Sequence, residues 1–168
     1  SPVTGMAVDV AGVIATVRAV APEAFVIVDG IQHASHGAVS GAGADGYVVS
    51  PYKMFARHGY GVAWASDRLT ALPKEHLCGG PERARELRTR DAGAYASFSD
   101  VVDYLDWLGG RFAETDDRRG RLEAAGAAVA AHEARLLAAM LHGTGNLRGL
   151  AKMQEIGRAS CRERVCHR

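Results

Sequence analysis

An aspartate closes one short apolar run and a lysine follows another. The first run is AFVIVD, residues 24–29, which continues into GIQHASHG; the second is DGYVVS, residues 45–50, which continues into PYKMFARHG. Asp29, Gln32, Ser50 and Lys53 therefore fall at or just past the ends of two segments built for an interior. A carboxylate and a primary amine presented side by side can grip one polar ligand between them. Other chemistries compete for the same stretch. Ser50 and Lys53 are the residue types of a serine–lysine nucleophile pair, which would also need oxyanion donors that no pattern in the chain supplies. His33, His36 and His58 could form a metal set, but their spacing matches no tight ligand motif. Singly, an aspartate at a strand end is most often a turn or cap residue, and a lone lysine is most often solvated.

These residues need a scaffold. Residues 7–20, AVDVAGVIATVRAV, space their apolar positions as helix faces do, and Pro22 stops that helix. Residues 24–29 and 45–50 read as strands buried on both faces, joined by a Gly/Ser/His-rich loop. Pro51 breaks the chain, and YGVAWAS, residues 60–66, reads as a third strand. Asp67 is the expected N-cap of a short helix through Leu72. Residues 73–94 read as an extended loop. SFSDVVDYLDWLGG reads as an amphipathic helix that buries Val101, Val102, Leu105 and Leu108 and ends at Gly109 or Gly110. Residues 118–141 read as a long Ala-rich helix. Helix, strand, loop, strand, strand, helix points to an α/β layer architecture with a mainly parallel sheet flanked by helices. Ligands of such sheets sit at the strand ends, where Asp29, Ser50 and Lys53 fall.

Composition narrows the class. With 168 residues, 48% of them apolar and 20 glycines, the chain suits one globular domain and is neither fibrous nor disordered. A net charge of +1 gives no electrostatic case for nucleic acid. No apolar run reads as long enough to cross a membrane and no leader opens the chain, so a soluble, cytoplasmic protein is expected. Cys78, Cys161 and Cys166 make no disulfide framework. Residues 155–168, EIGRASCRERVCHR, lack apolar periodicity, and EIGRASCRERV resembles a translated sequencing adapter. That tail is expected to be non-native. It carries four arginines and two glutamates, so the chain without it has a balance of −1, and CRERVCH is not read as a metal site.

The segments VDGIQH, ADGYVVSPYKMFARHGYGVAW and RELRTRDAGAYASFSDVVDYLDWLG, taken together, resemble the class V aminotransferase family. These are pyridoxal-phosphate enzymes of fold type I, and the resemblance is to the cysteine-desulfurase-like branch, over about residues 1–150. It implies that Lys53 forms a Schiff base with the aldehyde of pyridoxal phosphate and then shuttles protons at the substrate Cα. It implies that Asp29 pairs with the ring nitrogen, that Gln32 bonds the phenolic oxygen, and that Ser50 bonds the phosphate. Tyr52 stands where the family often has histidine, and its hydroxyl can donate to the phosphate. His58 falls where the branch has a Gly-Pro-His turn, with Ala56 and Arg57 in place of the Gly-Pro, and is read as structural. Thr89, in ELRTRD, matches a threonine that reaches the phosphate of the neighbouring subunit, which implies a homodimer; Arg88 stands where the family has glycine.

The same resemblance divides the chain. Residues 1–110 would be part of the large, cofactor-binding domain, and 111–154 a helical linker with the start of a truncated small domain. The aromatic that stacks on the ring, the arginine for the substrate carboxylate and a desulfurase's mobile cysteine would lie outside the chain. Cys78 matches none of these and reads as a plain loop cysteine. The parent enzyme is expected to act on an amino acid, by desulfuration of cysteine, transamination, epimerisation or β-lyase chemistry, while the fragment itself is expected to be inactive. Two alternatives stand beside this: an inactive fragment or cofactor-free relative, and a metal hydrolase built on His33, His36 and Asp29.

Overall fold

The structure, a computed structural model, describes residues 5–75, 78 and 91–152. Asp9 opens the first helix, α1 (Val10–Val20): its carboxylate accepts from the Gly12 N–H at 3.0 Å. The helix starts three residues later than the apolar spacing alone predicts, because Asp9 is its cap. Only Ile14 of α1 is buried. Arg18, in the last turn, leaves the helix to reach the sheet.

The sheet has three strands, β1 (Ile27–Asp29), β2 (Gly46–Val49) and β3 (Val62–Ala65), in that spatial order. β1 and β2 pair in parallel, with Asp29 opposite Val48; β2 and β3 pair antiparallel, with Tyr47 opposite Trp64. The sheet is therefore mixed rather than mainly parallel among the described residues. Loop length explains both pairings. Residues 30–45 are long enough for the crossover that parallel strands require, and they run as an irregular loop. Residues 50–61 turn back directly, which permits only the antiparallel pairing. Burial also departs from the expectation. Central β2 begins with two buried residues, but Ile27 of β1 is 59% exposed and Trp64 of β3 is 50% exposed. The edge strands have a partner on one side only, so the expected two-faced burial holds for the start of β2 alone.

Helix α2 (Asp67–Thr70) is one turn long. Its cap is Ser66, whose hydroxyl accepts from the Leu69 N–H at 3.2 Å, and not Asp67, which sits in the first turn. Helix α3 (Ala92–Gly109) begins about five residues earlier than expected, because the Asp91 carboxylate accepts from the Ala94 N–H at 3.1 Å. Gly110 is its C-cap, as expected. Val101, Val102, Leu105 and Leu108 are half-buried rather than buried. Helix α4 (Arg118–His142) starts at Asp117, which caps the Arg119 and Gly120 amides. By length and composition alone, α4 is long and apolar enough to cross a membrane, contrary to the expectation from sequence. Glu133 and Arg135 interrupt its middle. A small hairpin, β4 (Gly143–Thr144) with β5 (Leu147–Arg148), follows it. The adapter-like tail lies outside the described residues.

Helices α3 and α4 pack as a pair. Asp106 accepts from Arg121 through both oxygens, at 2.5 and 3.2 Å, and Arg118 pairs with Asp103. At the crossing a Cβ on Gly109 would lie 1.8 Å from the Arg121 carbonyl oxygen, so the helices touch backbone to backbone there. Gly110 is different: its Cβ would make only ordinary van der Waals contacts, with the flexible Arg121 side chain at 3.4 Å and the Trp107 and Asp106 carbonyl oxygens at 3.5 and 3.7 Å. Gly109→Ala is therefore expected to destabilise the chain by about 1–3 kcal/mol, and Gly110→Ala by far less. Urea unfolding followed by circular dichroism measures both; equal midpoints for the two variants would contradict the packing.

Candidate functional site

The parallel pairing of β1 and β2 sends both strand ends the same way, about 4.8 Å apart. Gly30 extends the ladder by one bond, its N–H donating to Val48 O at 2.9 Å. The chain then turns tightly. His33 N–H and Ala34 N–H both donate to Gly30 O at 3.0 Å, and the Ile31 N–H donates to Asp29 Oδ1 at 3.1 Å. That turn swings Gln32 towards the segment that follows β2. Gly30 is required here: a Cβ would lie 2.1–2.3 Å from the ring and hydroxyl of Tyr47, which covers it. Burial raises the Tyr47 hydroxyl pKa, and the nearby Asp29 charge adds to the effect.

Ser50 follows β2 and stands at the N-cap of a single 3-10 turn, Pro51–Met54, with buried Pro51 as its first residue. The Lys53 N–H closes that turn on Ser50 O at 3.0 Å. The Ser50 hydroxyl makes no capping bond and so is not consumed by the turn. Lys53 Nζ donates to Gln32 Oε1 at 2.5 Å, across 21 residues of sequence. It also lies 5.9 Å from the centre of the Tyr52 ring, which rests on the His58 imidazole at 4.7 Å. Phe55, the C-cap of the turn, has φ 68° and is 92% exposed. A bulky residue in the left-handed region carries strain.

Five of the six expected site residues, Asp29, Gln32, Ser50, Tyr52 and Lys53, thus sit at neighbouring strand ends. Lys53 touches Gln32 and faces Tyr52 directly, while register places Asp29 and Ser50. Thr89, with Arg88 before it, lies outside the described residues. The histidines diverge. His36 Nδ1 meets Glu133 Oε1 at 2.8 Å, whereas the His33 ring lies against Gly37. Among the described residues no group of three or more His, Cys, Asp or Glu could hold a metal ion, so the metal-hydrolase alternative has no site there. Cys78 is exposed and unpaired with another cysteine.

The residue that positions the strands is one the sequence did not single out. Asp45 is only 3% exposed. Its Oδ2 accepts from Val26 N–H at 2.8 Å and from Arg18 Nη2 at 2.6 Å, and its Oδ1 lies 3.7 Å from Arg68 Nη1. Its backbone N–H donates to Val26 O and its carbonyl accepts from Ser66 N–H, both at 2.8 Å. One aspartate thereby joins α1, β1, β2, β3 and α2. No local spacing signals it, since Arg18 lies 27 residues before it and Arg68 lies 23 after. The Val26 amide, then the Arg18 bond, then the two guanidinium charges hold the Asp45 carboxyl below the usual carboxylate range, outweighing desolvation. A depressed folded-state pKa stabilises the fold fully above the unfolded value of about 3.9 and ceases to do so as pH falls through the folded value.

A large cavity lies elsewhere. About 790 Å³ in volume, it is lined by Tyr47, Val49 and Trp64 of the sheet and by Phe98, Leu105 and Leu122 of the helices. None of Asp29, Gln32, Ser50 or Lys53 lines it. It is an apolar seam between sheet and helices, and the polar site opens off the strand ends instead.

A family model described as aminotransferase class-V matches residues 1–97, more than half of the chain. No curated protein and no solved structure gives a significant match.

Asp45→Asn is expected to lower the melting temperature at pH 7 by roughly 10 °C, because it leaves two guanidinium groups without their shared carboxylate. The gap between wild type and variant should close as pH falls below about 4. Thermal melts between pH 3 and pH 7 check this, and a gap independent of pH would contradict it.

Proposed function

The chain belongs to the class V aminotransferase family, and on that premise we propose that Lys53 holds pyridoxal phosphate and that the parent enzyme acts on an amino acid. The observation that carries the proposal is the 2.5 Å bond between Lys53 Nζ and Gln32 Oε1, which draws the two strand ends into one site. The donor set fits the cofactor. There is one primary amine for an aldehyde and one carboxylate for a pyridine nitrogen. Asp29 spends one oxygen on the Ile31 amide and forms no direct ion pair with Lys53, which leaves both groups able to address a single ring. The Ser50 hydroxyl, not used in capping, and the Tyr52 hydroxyl are suited to a phosphate.

When bound, pyridoxal phosphate supplies an electron sink for charge developing at the Cα of an amino acid. In this proposal Asp29 keeps the proton on the ring nitrogen through a charge-assisted hydrogen bond. The Gln32 amide donates to the phenolic oxygen. Lys53 would hold the cofactor at its aldehyde, and its amine would be the group placed to move the proton at Cα. Ser50 and Tyr52 orient the phosphate, and Thr89 serves the phosphate of a second subunit in a homodimer. Desulfuration of cysteine to alanine is the candidate reaction that the desulfurase-like segments favour. Transamination, epimerisation and β-lyase chemistry draw on the same residues.

Incubating the purified chain with pyridoxal phosphate, reducing with borohydride and mapping peptides tests the reading. Label is expected on Lys53 and is expected to vanish in Lys53→Ala. Asp29→Asn is expected to weaken cofactor binding roughly tenfold, the effect of losing a hydrogen bond to a charged group. A folded chain that takes up no label at Lys53 would refute the proposal.

A further inference from the structure

Three residues of α4, each seven positions from the next, meet one short stretch of the loop that carries Gln32. A seven-residue step nearly completes two helical turns, so Arg119, Gly126 and Glu133 form one stripe. Arg119 Nη2 donates to Val39 O at 2.9 Å. Gly126 lies against the backbone of Ala38, where an added Cβ would fall 2.5 Å from the Ala38 nitrogen and 2.7 Å from its Cα. Glu133 Oε1 meets His36 Nδ1 at 2.8 Å. Residues 36–39 thus run along the stripe, with Val39 near the start of α4 and His36 further along it.

From His36 the connection to the site is short and hydrogen-bonded. His36 N–H donates to His33 O at 2.8 Å, and the His33 and Ala34 amides both donate to Gly30 O. Ala34 is buried at 6% exposure. Gln32 lies inside that turn and reaches Lys53 Nζ. The loop from 30 to 45 contains no helix or strand, so α4 supplies the packing that regular structure would otherwise give.

We propose that α4 is a positioning element for the lysine site: its Arg119–Gly126–Glu133 stripe seats residues 36–39 and so sets Gln32 against Lys53. This rests on the reading of Lys53 as the reactive amine. The family match ends at residue 97, before α4 begins, so the match assigns no role to the stripe. The half-exposed His36–Glu133 pair contributes little alone. The backbone approach at Gly126 carries most of the fit, since any side chain there must displace the loop.

The test uses the chain without cofactor. Trace acetylation with acetic anhydride, read by mass spectrometry, reports the reactivity of Lys53 relative to exposed Lys152. Gln32→Ala is expected to raise it about fivefold, the factor given by losing one hydrogen bond of ordinary net strength. Gly126→Ala, which favours the helix by propensity, and Glu133→Ala are expected to raise it in the same direction. Neither is expected to add to the increase in a Gln32→Ala background, because both act through that side chain. Unchanged Lys53 reactivity in both α4 variants overturns the proposal, as does an equal increase with and without Gln32. If Gly126→Ala fails to fold, the double variant Arg119→Ala with Glu133→Ala, which removes both polar contacts of the stripe, decides by the same criteria. A wild-type chain that takes no borohydride label at Lys53 would sink the functional reading while leaving this coupling readable.

Discussion

One buried carboxylate governs where the chemistry-bearing residues end up. Asp45 shares its side chain between the Val26 amide and the guanidinium of Arg18, with Arg68 close by, while its backbone bridges to Val26 and Ser66. A carboxylate taken out of water must be paired and hydrogen-bonded, and each partner here comes from a different element. Side chain and backbone of this one residue together therefore tie the start of β1, the start of β2 and the end of β3. Asp29 lies three residues past Val26, and Lys53 lies eight past Asp45. The strand lengths between those points are rigid, so the spacing of the two ends follows from the clamp.

Beyond the strands the rigidity changes character. Asp29 is placed by the ladder and Ser50 directly follows it, but Gln32 and Lys53 belong to two turns beyond the strand pairing. Each turn has its own fastening. The first closes on Gly30 O beneath the Tyr47 ring, and the second closes on Ser50 O behind buried Pro51. The bond between Gln32 and Lys53 joins them. Phe55 keeps a left-handed backbone at the end of the lysine turn although its side chain is almost wholly exposed. Packing does not hold it there, so the surrounding turn must. α4 braces the loop from its far side, through polar contacts that cross 80 and 97 residues of sequence.

The large apolar seam and the polar site occupy different places because β2 alternates. Tyr47 and Val49 face the seam, whereas Gly46 and Val48 face the other way, and Asp29 is in register with Val48. The Asp29 position is thereby set on the face of the sheet away from the apolar seam. The α3–α4 pair closes the seam, with Gly109 admitting the backbone of Arg121 and Asp106 taking up its guanidinium.

Local chemistry by itself determined a good deal. Apolar runs ending in Asp29 and Ser50 marked two strands, because short β-branched apolar runs favour extended backbone even where they end up half exposed. Pro51 marked the break before Lys53, and Gly110 the end of α3. The residue types at 29, 32, 50 and 53 named the family that the chain belongs to. Tertiary structure decided the rest. Whether a strand is central or at an edge depends on partners far away in sequence, so the exposure of Ile27 and Trp64 and the antiparallel β3 could not be read locally. Caps shifted by a few residues, since Asp9, Ser66 and Asp91 compete with apolar spacing for helix starts. Asp45 looked like an ordinary first residue of a strand, and His36 like a spare ligand. Only the folded chain brings Arg18 and Arg68 to the one and Glu133 to the other, because an ion pair is a property of two positions and no single stretch of sequence contains both.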